Sequence, residues 1–225
     1  MATAKVITEQ SSVAAENRSW FHKQGTLTLN FIGGPGVGKT TIIERTLDEL
    51  RQRLSISVIE GDQYAGVDID RIRLYDVPVV QILTQGGCHL TPVQVRQALD
   101  KLSVSNPEVL LIENVGDLVC PAGVDLGETV KVAVLDAVAG DDAAVKYPEV
   151  FRQSAVLIIN KMDLLPYMNY DFEQLKQTAL SLNPDLRIFQ VSCRLGQGLY
   201  DWYDWVLHEV RRLEEWEGAE VKGAT

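Results

Sequence analysis

At 225 residues, the chain is long enough for one good core, and a single α/β domain is expected rather than two small ones. Apolar residues at 46% and charged residues at 23% exclude a disordered chain and a membrane protein, while a net charge of −10 repels phosphate backbones and excludes nucleic acid as a partner. The amino-terminal segment lacks the apolar stretch of a signal peptide and no run reaches the roughly 20 apolar residues of a spanning helix, so a cytoplasmic protein with Cys88, Cys120 and Cys193 as reduced thiols is expected.

Residues 1–24 read as a polar, partly helical extension. Apolar or β-branched runs at 27–32, 55–59, 79–83, 109–112, 130–135, 155–159 and 188–191 are strand candidates. Helical patterns lie between several of them, over 40–53, 92–102 and 172–182, with a last helix from 199 to about 215. In that last helix Leu199, Trp202, Val206, Val210 and Leu213 recur at three and four, an apolar stripe whose tryptophan reads as core. Residues 217–225 carry no apolar face and read as a loose tail, which leaves 25–216 as the domain. Buried strands alternating with helices imply a mostly parallel sheet covered on both faces, with ligands at the carboxyl ends of the strands.

The segment Gly33-Gly34-Pro35-Gly36-Val37-Gly38-Lys39-Thr40 follows the first strand and opens a helix with the spacing G-x-x-x-x-G-K-S/T. Its glycines let backbone N–H groups from Gly34 to Thr41 face phosphate oxygens, Lys39 supplies charge to the β and γ groups, and Thr40 is a magnesium ligand. After the second run comes Asp62, a candidate for a second magnesium contact or for positioning the attacking water, and after the fourth comes Glu113, expected to face magnesium. Asn160-Lys161-Met162-Asp163 follows the sixth run and resembles the guanine-specificity motif of GTPases. The Asp163 carboxylate can accept from both the ring N–H and the exocyclic amine of guanine, so GTP and GDP are expected over adenine nucleotides. Ser192-Cys193-Arg194 resembles the loop whose backbone N–H meets the guanine carbonyl, with Cys193 read as a small buried side chain.

Cys88 and His89 stand in a glycine-flexed loop just ahead of a helix that Thr91, Pro92 and Gln94 start as a capping box. Cys120 follows the Glu113 segment through ENVGDLVCP. If the sheet brings these loops together, the three form a soft site suited to zinc or nickel, completed by water or by a symmetry mate. Two buried cysteines and a surface histidine fit the same residues. His22 and His208 are isolated and receive no metal role.

With these motifs in place, the chain resembles the HypB family of hydrogenase nickel-incorporation GTPases, which stands beside the urease accessory GTPases in a P-loop group that matures metalloenzymes. The resemblance runs from Glu16 to Trp205 through AENRSWF, LTLNFIGGPGVGKTT, VIEGDQ, GCHL, ENVGDLVCP, VDLGE, KYPEVFR, INKMDLLPY and VSCRLGQGL. It implies a GTP-dependent homodimer whose Cys88, His89 and Cys120 bind nickel or zinc at the subunit interface and pass nickel toward a hydrogenase precursor, in concert with other metallochaperones. The amino-terminal segment has neither the cysteine cluster nor the histidine-rich tract of nickel-storing members, so storage is not expected. Ala65 and Leu83 replace the threonine and asparagine usual near the switch. The rival readings are a regulatory GTPase with a structural zinc at its dimer interface and a small-molecule kinase; the guanine motif and the lack of an arginine-rich lid argue against the kinase.

Overall fold

The computed structural model describes residues 2–66, 68–102 and 106–223, with side chains described for 8–66, 68–102 and 106–215. Seven strands, β1 (Leu27–Gly33), β2 (Ile56–Asp62), β3 (Val79–Leu83), β4 (Val109–Gly116), β5 (Val130–Asp136), β6 (Val156–Asn160) and β7 (Arg187–Gln190), form one sheet in the order β3-β2-β4-β1-β5-β6-β7. Every pairing is parallel. A parallel sheet needs cover on both faces, which is why β6 is buried throughout, β4 is buried in all but its last residue, and β1 buries Thr28 and Asn30 along with its apolar residues. The order reverses about β1, so the phosphate loop leaves the sheet where strands on either side run to different neighbours. This is the crevice where open α/β sheets hold ligands.

One face is covered by α2 (Lys39–Leu50) and α8 (Leu199–Gly223). Their apolar stripes meet Phe31, Val132 and Phe189 in the largest core cluster. Trp202 is fully buried there, edge-on to Phe31 and Phe189, and its Nε1 donates to Thr46 Oγ1 at 2.9 Å. The tryptophan expected to be core is core. Helix α8 runs on through Gly223, beyond the stripe that ends at Leu213 and into residues read from the sequence as a loose tail. The Glu, Ala and Lys residues there favour helix without needing an apolar face; residues 224–225 lie outside the described residues.

The amino-terminal segment is one helix, α1 (Ala2–Lys23), and its second half docks on the domain. Ala14 and Phe21 are buried, Phe21 packing with Ile59, Leu90 and Val95. Asn17 is fully buried and donates from Nδ2 to the carbonyls of both Pro92 and Leu126 at 3.0 Å. At Gly127 (φ +87°) any Cβ would strike the α1 backbone at Ala14 and Arg18. Four short elements were not expected from periodicity: α3 (Asp68–Arg73), α5 (Ala143–Lys146), α6 (Pro148–Gln153) and the 3₁₀ turn Met162–Tyr167. The remaining helices, α4 (Pro92–Leu99) and α7 (Phe172–Leu182), fall where the pattern puts them. None of the described helices is long and apolar enough to cross a membrane.

Candidate functional site

The loop after β1 turns back on itself at Gly36 (φ +74°) and Gly38 (φ +101°), left-handed conformations that a side chain would strain. A Cβ at Gly38 would also collide with the Asn160 amide. Lys39 opens α2 and is buried, its Nζ donating to the carbonyls of Gly33 at 3.0 Å and Gly34 at 3.4 Å. Burial lowers its pKa, against the pull of Glu113 and then Asp68. The ammonium thus folds over its own loop, at the mouth of a cleft of about 360 Å³ lined by this loop, Glu60, Asp62, Asp68, Arg71 and Glu113.

Across the cleft, Thr40 Oγ1 donates to Glu113 Oε1 at 2.7 Å. Glu113 on β4 stands in register beside Glu60 on β2, and each keeps an Oε2 that is buried without a hydrogen-bond partner. Both carboxyls are pushed up to about 7, burial being the largest cause in each. For Glu113, Lys39 and the Thr40 hydrogen bond work against that rise. Asp62 ends β2 at the cleft, one oxygen accepting from Gln63 N–H at 2.7 Å. The hydroxyl and carboxylates here are hard oxygen donors, and the orphaned Glu113 oxygen is a buried acceptor that a small divalent cation would satisfy, so the residues fit magnesium. On the rim, Arg71 is held by Glu44, Asp68 at 2.9 Å and the Thr41 hydroxyl at 3.1 Å.

The base-side loops are cross-bonded to the phosphate loop. Asn160 Nδ2 donates to Val37 O at 3.0 Å, while its Oδ1 accepts from Cys193 N–H at 3.2 Å. Lys161, at φ +58°, donates from Nζ to Gly36 O and to Asp136 Oδ2, both at 2.7 Å. Asp163 Oδ1 accepts from Ser192 Oγ at 2.6 Å, and Ser192 Oγ in turn accepts from Leu195 N–H. Cys193 is buried, and burial pushes its thiol up to about 11. Its side chain packs in the main core cluster, and its N–H is taken by Asn160.

The metal-ligand candidates also come together. The loop ahead of α4 bends at Gln85 and Gly86, and the capping box forms through Gln94 N–H to Thr91 Oγ1 and Thr91 N–H to Gln94 Oε1. Ligand atoms of Cys88, His89 and Cys120 lie within 4.8 Å of one another, with Cys88 Sγ 3.5 Å from His89 Nδ1. Against the expectation of three reduced thiols, Cys88 and Cys120 are joined as a disulfide, with Cα atoms 6.0 Å apart; Cys193 is the free one. Two loops that converge on one point bring sulfurs to bonding range, and the same convergence lets two thiolates share a soft ion. Cys120 is tied back to the phosphate loop: its N–H donates to Asp117 Oδ1 at 2.7 Å, and Asp117 O accepts from Gly33 N–H.

Several residues at the site went unread in the sequence. Asp136, which holds Lys161, ends the apolar run of β5 as Asp62 ends that of β2, and the strand-end rule applied there would have found it. Glu60 lies inside an apolar run and Asp117 in a loop; Asp68 and Arg71 sit on a two-turn helix. None of these has a spacing that marks it.

The family profile "CobW/HypB/UreG, nucleotide-binding domain" matches residues 27–190. The hydrogenase maturation factor HypB of Rhizobium leguminosarum bv. viciae is 44% identical over 201 residues, 89% of this chain and 67% of that protein. The chain therefore spans about two thirds of the length of that relative. Among solved structures, HypB from Archaeoglobus fulgidus superposes with a TM-score of 0.84 at 33% identity, covering 90% of this chain and 99% of the other. HypB from Helicobacter pylori, crystallised in complex with nickel, gives 0.85 at 34% identity, covering 91% and 96%. By sequence and by fold along most of its length, this chain belongs to the CobW/HypB/UreG nucleotide-binding family, among the HypB-type hydrogenase maturation GTPases.

Proposed function

We propose that this protein is a GTP-hydrolysing metallochaperone that delivers nickel during maturation of a nickel–iron hydrogenase or a similar metalloenzyme, acting as a GTP-dependent homodimer with a Cys/His metal site at its interface. The observation that carries the reading is the convergence of Cys88, His89 and Cys120 at the end of the strand that bears Glu113. The nickel in the Helicobacter pylori relative supports the choice of cargo. Exposed Val119 beside Cys120 gives a second copy an apolar foothold, and that copy supplies the ligands that three donors leave missing.

In this reading Asp163 accepts from guanine, Asn160 and Lys161 brace the loop under the nucleotide, and the Ser192–Cys193 backbone borders the base. Lys39 exchanges its two backbone carbonyls for phosphate oxygens, and amides from Gly34 to Thr41 surround them. Thr40, Asp62 and Glu113 would hold magnesium, which when bound supplies charge neutralisation at the β and γ oxygens. Asp62 positions the water that attacks the γ-phosphate. Glu113, which accepts from the Thr40 hydroxyl and keeps a second oxygen unpartnered, would share that hydroxyl with a bound cation, so the end of β4 would sense the nucleotide, with Asp117 and Cys120 next along the chain. Hydrogenase precursor and companion metallochaperones are the partners, and the cytoplasm the compartment.

The test is a nickel titration of reduced protein loaded with GDP or with a non-hydrolysable GTP analogue, with oligomeric state followed in parallel. A difference in affinity or assembly is expected, and identity of both overturns the reading. The second reading, a regulatory GTPase stapled by a structural zinc, draws on the two thiol donors of the site; retention of zinc through GTP turnover in excess nickel would favour it.

A further inference from the structure

A buried amide beside Glu113 bonds the backbone next to His89 and begins a chain of contacts that reaches the loop after Cys120. Asn114 is 1% exposed, on a central strand whose first four residues, Val109 to Ile112, are buried and apolar, a setting that packing alone fills with hydrocarbon side chains. Its Oδ1 accepts from Leu90 N–H at 3.0 Å and from Val115 N–H at 3.0 Å. Leu90 follows His89 directly, and its side chain lies so close over Gly61 that a Cβ there would sit 2.7 Å from it. The metal loop is therefore clamped between the Asn114 amide and the strand that carries Glu60 and Asp62.

The other end of the amide leads toward Cys120. Asn114 Nδ2 donates to Asn30 Oδ1 at 3.1 Å, and Asn30, fully buried on β1, donates from Nδ2 to Glu128 Oε1 at 3.0 Å. Glu128 faces Lys131 Nζ at 3.6 Å, and that ammonium donates to the carbonyls of Ala122 at 2.7 Å and Val124 at 2.8 Å. These carbonyls belong to the loop that starts at Cys120. Side chains from three stretches of sequence, around residues 30, 114 and 128–131, thus form one buried chain of donors and acceptors. Such a network moves as a unit or breaks, because a half-satisfied one is costly in a low-dielectric core.

We infer that Asn114 is a positioning residue for the metal site, passing displacement of the Glu113 strand end to His89 through Leu90 and to the Cys120 loop through Asn30, Glu128 and Lys131. Asn114 carries the near arm and Lys131 closes the far one. Lys131 touches neither the nucleotide loops nor a metal ligand. The inference rests on the reading of Glu113 as the nucleotide-sensing end, and the experiment separates the two.

Nickel is titrated into reduced, full-length wild type, Asn114→Ala and Lys131→Met, each with GDP and with a non-hydrolysable GTP analogue; circular dichroism and GTP affinity are measured alongside. Wild type is expected to show a ratio of nickel affinities in the range of about 5- to 150-fold typical of linked sites. Asn114→Ala brings the ratio near one. Lys131→Met lowers it at least about threefold while GTP affinity stays at the wild-type value, a separation that mere loss of stability does not produce. Folded variants that keep the full wild-type ratio overturn the inference and leave the proposed function standing. A wild-type ratio of one with unchanged assembly overturns the proposed function and the inference with it. If Asn114→Ala does not fold, Lys131→Met alone decides between these outcomes.

Discussion

The two sides of the nucleotide cleft are built on opposite plans. On the base side Asn160, Lys161, Asp163 and Ser192 all find protein partners, so the loops are set before any ligand arrives. On the acid side Glu60 and Glu113 stand together in the core, each with an oxygen that nothing in the protein satisfies. A satisfied network is rigid, whereas an unsatisfied buried carboxylate costs free energy that a cation can return. Under the proposed function, the contrast would let the set side recognise the base and the unsatisfied side respond to the cation. It also explains why the Cys and His loops are tied to β4 and β2 and not to β6.

Changes on each side should break this contrast by different amounts. The largest loss is expected from Lys39→Ala, which removes the charge shared by both sides; single-turnover assays should show GTP hydrolysis lowered by at least about 10²–10³-fold. Next comes Asp163→Asn on the base side. It swaps an acceptor pair for an amide and should lower GTP affinity about 10²-fold or more, since two charge-assisted hydrogen bonds at roughly 1.5–3 kcal/mol each are disturbed. The same variant should bind xanthosine nucleotides better than wild type does, and unchanged guanine preference in competition binding counts against the assignment. For the metal loops, Cys120→Ser should weaken nickel binding by more than the roughly 10- to 100-fold that loss of a ligand's hydrogen-bond partner costs. GTP affinity in the same protein should not move.

The smallest effect concerns the acid side without ligands. A carboxyl raised from 4.5 to about 7 keeps its proton in the folded protein while the unfolded chain loses it. The folded state therefore binds more protons between those values. The stability contributed is fully present below pH 4.5 and is lost as pH rises through about 7. In the presence of a chelator and without nucleotide, Glu60→Gln should melt with wild type near pH 5. Near pH 8 it should melt about 2–4 °C higher, the shift that roughly 1 kcal/mol makes in a chain of this size. Equal melting temperatures at both pH values would show that Glu60 ionises freely.

Much of the frame was legible in the sequence. All seven strands lie within a few residues of their apolar runs, most plainly β4 and β6, whose opening residues are buried and apolar without a break. Lys39, Thr40, Asn160 and Asp163 declare themselves by spacing that the backbone geometry requires. The rest depends on contacts between residues far apart in the chain. Asn30, Asn114 and Glu128 meet only after β1 and β4 pair, and no local pattern distinguishes them from surface polar residues. The short α3, α5 and α6 offer too few turns for a period. The docking of α1 escaped notice because its buried stripe is thin and carries Asn17 in place of a hydrocarbon residue. The pairing of Cys88 with Cys120 could not be seen either, since compartment alone argued for thiols.

The buried Asn17 has a consequence for how the protein is made. Helix α1 precedes the whole sheet in the chain, but the carbonyls that Asn17 needs belong to Pro92 and Leu126, and Gly127 lies against the helix backbone. At roughly 5–20 residues per second, synthesis of the intervening stretch takes on the order of 5–20 s, during which Phe21 and Asn17 have no native partners. Until the fourth strand and the loop beyond it have emerged, the Asn17 amide has only water to pair with. A stalled chain ending before Leu126 should therefore present the Asn17 face of α1 without its native partners.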